Sequence, residues 1–121
     1  MSIYSQLYET QPKHSAQAMG SGGLEVLATP ALVAFMEHAA FTLVQNQLKD
    51  KQTTVGSEIA IQHLAASKIG QAVTIVITAL KEEGRKYDFR IEAFANHKLI
   101  GRACHTRVRV DQDAFLEKLC Y

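Results

Sequence analysis

The sequence predicts an α+β protein in which a curled antiparallel sheet surrounds one long helix. Three observations carry this. Residues 31–44 place apolar side chains on nearly every side of a helix (Ala31, Leu32, Val33, Ala34, Phe35, Met36, Ala39, Ala40, Phe41, Leu43, Val44), the mark of a buried helix rather than an amphipathic surface one. From residue 54 the pattern changes to period two, the spacing of strands. Short polar turns separate the strand-like stretches, and tight turns imply antiparallel neighbours, because parallel pairing needs a long crossover. A sheet curled round the helix covers most of it, and a partner subunit is the expected cover for the rest.

The elements follow in order. Residues 3–12 hold Tyr4, Leu7 and Tyr8 among polar residues and read as a short strand. Ala18-Met19-Gly20-Ser21-Gly22-Gly23 reads as a loop, since glycine accepts positive φ. Thr29-Pro30 opens the helix, with Thr29 as N-cap and Pro30 at the first helical position, where a missing N–H costs nothing. The helix is expected over residues 29–49. In residues 54–66, Val55, Ser57, Ile59, Ile61, His63 and Ala65 share one strand face. Residues 71–80 are β-branched and apolar, a strand by propensity. Lys81 to Lys86 is a charged turn around Gly84. Tyr87, Phe89, Ile91 and Ala93 then alternate with Asp88, Arg90 and Glu92. Asn96-His97-Lys98 turns into a last strand over 99–110, and the tail from Asp111 to Leu119 reads as a short helix.

Composition excludes several classes. The 121 residues suffice for one domain, 1–121, that buries a core without disulfides or metal. A net charge of +1 gives no reason to expect nucleic acid or a membrane surface as partner. Cys104 and Cys120 have neither metal-ligand spacing nor a disulfide framework. They read as free thiols in a reducing cytosol, Cys104 as a small core residue, and no signal peptide or bilayer-length apolar run is present. A cytoplasmic protein is expected.

The lead towards function is Glu37, a carboxylate in the middle of an otherwise apolar helix, where an acid needs a partner or a task. The pattern around it resembles the hotdog-fold thioesterases, and among them the fluoroacetyl-coenzyme A thioesterase type. The likeness covers residues 20–111. It rests on Ala28-Thr29-Pro30 to Met36-Glu37, Thr54-Val55-Gly56, His63-Leu64-Ala65-Ala66, Gly70, Gly101 and His105-Thr106-Arg107. The resemblance implies a hotdog fold and hydrolysis of an acyl-CoA thioester, with Thr29, Glu37 and His63 as the catalytic set and Gly56 beside the thioester. It also implies a composite site in a homodimer or a dimer of dimers. No cofactor is implied, coenzyme A entering as part of the substrate. The sequence departs from the type at Ser15–Gly23, which has no aromatic residue to close the pocket, so selectivity for a fluorinated acyl group is not carried over.

Hydrolysing a thioester requires a nucleophile or base, donors for the developing oxyanion, and a hold on the substrate. Glu37 suits the first role as base or nucleophile, and His63, facing the helix with Ile59 and Ile61, suits proton transfer. The Thr29 hydroxyl can position the attacking group. Backbone N–H groups near Gly56 or at the helix start suit the oxyanion. His105, Arg107 and Arg109 share one strand face and, with Arg85, Lys86 or Lys98, are candidates for holding the substrate's phosphates. Each has a plainer reading. Thr29 caps a helix, Glu37 pairs with a base, His63 is a hydrogen-bonded core histidine, Gly56 permits a bulge, and His105 and Arg107 lie on a solvated or interface strand. The competing functions are a non-catalytic module that binds an acyl-CoA or another small ligand, and a hydratase or dehydratase on the same fold.

Overall fold

In the computed structural model, which describes residues 2–119, the chain runs β1 (Tyr4–Tyr8), a 3-10 turn (Pro12–His14), α1 (Ala16–Met19), α2 (Thr29–Gln45), β2 (Gln52–His63), β3 (Val73–Glu83), β4 (Lys86–Ala95), β5 (Lys98–Asp111) and α3 (Gln112–Glu117). The five strands form one antiparallel sheet in the order β1-β3-β4-β5-β2, with α2 packed on its concave side.

Helix α2 is shorter than expected and begins differently. Its N-cap is Ala28, held extended (φ −72°, ψ 143°) while its N–H donates to the His14 carbonyl at 2.9 Å. Thr29 and Pro30 are therefore the first two helical residues, and no side chain caps the helix. Thr29 is not the N-cap, because its hydroxyl is engaged elsewhere. Burial is also one-sided. Ala31, Leu32, Phe35, Met36, Ala39, Ala40 and Val44 are buried against the sheet, whereas Glu37 and Phe41 are half-buried and Ala34 and His38 exposed. One sheet layer covers only the stripe that faces it.

Strands β3, β4 and β5 are joined by tight turns, as the sequence predicted. Gly84 takes φ 61° in the first turn, and Asn96 (φ 50°) and His97 (φ 62°) form the second, a two-residue hairpin loop that needs positive φ at both positions. The β2–β3 link is different. β2 pairs with β5, so residues 64–72 cross over instead of turning tightly. This crossover passes the start of α2. There the Leu27 N–H donates to the Ser67 carbonyl at 3.0 Å, and Thr10 fixes the far end by accepting from the Gly70 N–H at 2.7 Å.

A β-bulge between Gly56 and Glu58 corrects the expected faces of β2. Two residues there oppose one step of β5, which exchanges the inner and outer faces. Thr54 and Gly56 face the helix before the bulge, and Ile59, Ile61 and His63 face it afterwards. Val55 and Ser57 do not share His63's face. In β5 the backbone approaches α2 closely at Gly101, where a Cβ would lie 2.9 Å from Leu32 Cδ2. Cys104 points outward and is exposed, not a core residue, since it lies between inward Ala103 and His105. Cys120 lies outside the described residues. No helix among those residues is long and apolar enough to cross a membrane.

Candidate active site

The candidate residues fall into two groups at different heights along α2. The first lies at its start. Thr29 Oγ1 and His63 Nδ1 are hydrogen bonded at 2.7 Å, joining the first helical residue to the last residue of β2. Such a hydroxyl–imidazole pair is the usual arrangement of a nucleophile, or a water-positioning hydroxyl, and its base. Burial lowers the His63 pKa from its ordinary value, so the ring is neutral at neutral pH. Its other nitrogen, Nε2, is buried and lacks a hydrogen-bond partner among the described residues. Buried polar atoms are normally paired, so an orphan here marks a place for a ligand atom or a water. The pair borders a cleft of about 340 Å³ lined by Ser21, Val26, Ala28, Leu64 and Ala66 among others.

The second group lies two turns further on. Glu37 is eight residues from Thr29, about 12 Å along the axis, so one straight helix cannot bring the two together. The Glu37 carboxylate lies against Gly56, where a Cβ would sit 2.6 Å from Oε2. Gly56 has no positive φ, so its smallness serves this close approach, beside the bulge that aims it inward. Arg107 Nη1 stands 3.8 Å from Glu37 Oε2, an ion pair longer than a hydrogen bond, and the Glu37 side chain is 41% exposed. Glu37 is therefore not fully buried in a single chain.

His105 and Arg107 are turned inward, which corrects their reading as a solvated strand face. They are 2% and 7% exposed. The Arg107 Nε–H donates to Thr54 Oγ1 at 2.8 Å and Nη2 to the Thr54 carbonyl at 3.0 Å, while Phe41 lies 5.8 Å from the guanidinium. Burial lowers the Arg107 pKa and the Glu37 carboxylate opposes this; the guanidinium stays charged. Held this way, Arg107 does not reach the surface to clamp a phosphate. Thr54 and Phe41, to which the sequence assigned no role in the site, complete this group. Only Thr54's place two residues before Gly56 hinted at it, once a bulge is allowed.

A lone helix cradled by a curled five-stranded antiparallel sheet is the hotdog fold, and a threonine–histidine pair with a glutamate further along that helix is a set suited to hydrolysis. The chain belongs to the fluoroacetyl-CoA-specific thioesterase (FlK) family, a family of thioester hydrolases, whose profile matches residues 10–113. It is 30% identical over 95 residues to the fluoroacetyl-CoA thioesterase of Streptantibioticus cattleyicolor, covering 78% of this chain and 68% of that protein. Its fold is similar to a crystal structure of a mutant of the FlK thioesterase in complex with fluoroacetate and CoA (TM-score 0.90, 24% identity, 96% of this chain and 95% of that one). It is also similar to a hot-dog-like protein from Thermanaerovibrio acidaminovorans (TM-score 0.86, 19% identity, 96% and 86%).

Proposed function

We propose that this protein hydrolyses a small acyl-CoA thioester using Thr29, His63 and Glu37. The observation that carries this reading is the 2.7 Å Thr29–His63 bond, with His63 Nε2 unpartnered among the described residues beside a cleft. The neutral imidazole receives a proton as water, positioned by the Thr29 hydroxyl, attacks the carbonyl carbon. It then delivers that proton to the departing thiolate of coenzyme A, so that the free acid and the thiol are the products. N–H groups at the start of α2 face the developing oxyanion. Glu37, in a site composed with a second copy, is the alternative first acceptor of the water's proton, or attacks as nucleophile to give an anhydride that water then hydrolyses. The half-uncovered face of α2 and the unpaired outer edge of β2 support a homodimer or a dimer of dimers. Gly56 makes room for the carboxylate and the reacting acyl group, and Arg85, Lys86 and Lys98 are candidates for the CoA phosphates.

The test is thiol release from a panel of acyl-CoAs, from acetyl and halogenated acetyl to aryl-acetyl and longer chains, for wild type and Glu37→Gln. Release that depends on Glu37 supports the reading and names the acyl class. CoA binding with no release across the panel contradicts it and favours the non-catalytic module.

A further inference from the structure

His105 faces the Glu37 group without reaching its carboxylate by a hydrogen bond, and its two ring nitrogens have opposite kinds of partner. Nδ1 lies 2.8 Å from the Glu58 carbonyl, which can only accept, so Nδ1 carries the proton. Nε2 lies 3.2 Å from Arg107 Nη1, which can only donate, so Nε2 presents its lone pair. The ring also stacks on Phe89 at 5.9 Å, and its Cε1 would be 3.3 Å from a Cβ at Gly56. One side chain thus ties the bulge of β2, which aims Gly56, to the guanidinium that faces Glu37.

We infer that His105 is a positioning residue that sets Arg107 and the Gly56 bulge against Glu37, so that the carboxylate is held for the reaction without His105 touching substrate. The inference rests on Glu37 acting in hydrolysis. Three groups face the ring: the Glu58 backbone carbonyl, the Arg107 guanidinium and, beyond it, the Glu37 carboxylate. Only the neutral Nδ1–H form satisfies both direct contacts. Burial, the largest influence, lowers the His105 pKa, which keeps the ring in that form. A second proton would aim an N–H at the guanidinium and break the link. A side chain that merely filled space would need neither nitrogen, whereas this one uses both.

The test compares His105→Phe, which keeps the stack on Phe89 and loses both hydrogen bonds, with His105→Gln, which can donate and accept at similar positions. Hydrolysis kinetics are measured alone and in the Glu37→Gln background. The expected result is a fall in kcat of about 30-fold for His105→Phe with KM changed less than threefold, on the scale that misplacement of a reacting group produces. His105→Gln should recover most of it, and His105→Phe should cost nothing further once Glu37 is Gln. Wild-type kcat in His105→Phe overturns the inference. So does an equal further loss in the Glu37→Gln background, or failure of His105→Gln to recover activity while it melts like wild type. If Glu37→Gln itself retains full turnover, the underlying functional reading fails instead. Should His105→Phe not fold, ring nitrogen-15 shifts of the wild-type protein decide. A neutral Nδ1–H ring at neutral pH supports the inference, and an Nε2–H or charged ring overturns it.

Discussion

The start of α2 and its middle carry the same kinds of polar side chain but are finished differently. At the start, Thr29 and His63 satisfy one another and leave Nε2 of the imidazole without a partner among the described residues, beside an open cleft. At the middle, Arg107 is bonded to Thr54 and His105, and His105 to the backbone of the bulge, with only the Glu37 carboxylate half in solvent. The first group keeps bonding capacity for a ligand, and the second spends its capacity on holding one carboxylate in place. Preorganised groups around an unfilled position are what a hydrolytic site requires.

The largest effects should come from removing reacting groups. Glu37→Gln is expected to lower kcat by at least about 10³-fold, to a residual rate still readable at high enzyme concentration, while the melting temperature and CoA affinity stay near wild type. His63→Ala should lower kcat by about 10²–10⁴-fold, the usual range for a lost general base. Thr29→Ala separates chemistry from capping. Because the hydroxyl caps nothing and its bond to His63 Nδ1 is open to replacement by water, stability should fall by less than about 1 kcal/mol, while kcat falls and Thr29→Ser preserves it. A destabilisation of about 1 kcal/mol or more with unchanged kcat would return Thr29 to a structural role.

Effects on the middle group should be of another kind. Arg107→Met removes the donors that serve Thr54 Oγ1, the Thr54 carbonyl and His105 Nε2, and should cost about 1–3 kcal/mol in chemical denaturation, the range for buried polar groups that lose a partner. Gly56→Ala should lower kcat by about 10-fold, because the new Cβ pushes the Glu37 carboxylate aside. Stability should change little, since the displaced atom ends a flexible side chain. The smallest effect is on pH. Burial lowers the folded pKa of both His63 and His105 below its ordinary value. The unfolded chain therefore binds more protons as pH falls. Stability should be complete above about pH 6.5 and decline below it. A melting temperature flat from pH 7.5 to 5 would show that neither ring stays neutral in the fold.

Much of this was legible in the sequence. The apolar run located α2, and the alternation of Tyr87, Phe89, Ile91 and Ala93 located β4 and its buried face. Glu37 stands out as an acid on an apolar helix, and the family resemblance sets Thr29 and His63 beside it. What was not legible was set by tertiary structure. Period two shows which residues share a face but not which face is inside, so His105 and Arg107 read as part of a solvated or interface strand although both are buried. The bulge after Gly56 shifts the inward face of β2 by one residue, and nothing local in Thr54-Val55-Gly56-Ser57 announces it. Ala28 rather than Thr29 takes the N-cap because its N–H bonds to the distant His14 carbonyl while the Thr29 hydroxyl bonds to His63, two tertiary contacts that the local Ala28-Thr29-Pro30 pattern does not show.

The central claim is that Thr29 and His63 of one copy work with Glu37 of another. Mixing His63→Ala with Glu37→Gln protein under conditions that exchange subunits tests it directly. Each variant alone should be inactive. In mixed dimers one of the two sites regains a full set, so an equal mixture should recover about a quarter of wild-type activity if pairing is random and the dimer two-fold symmetric. No recovery, with exchange verified by mass, would contradict the shared site and place all three residues' work within a single chain.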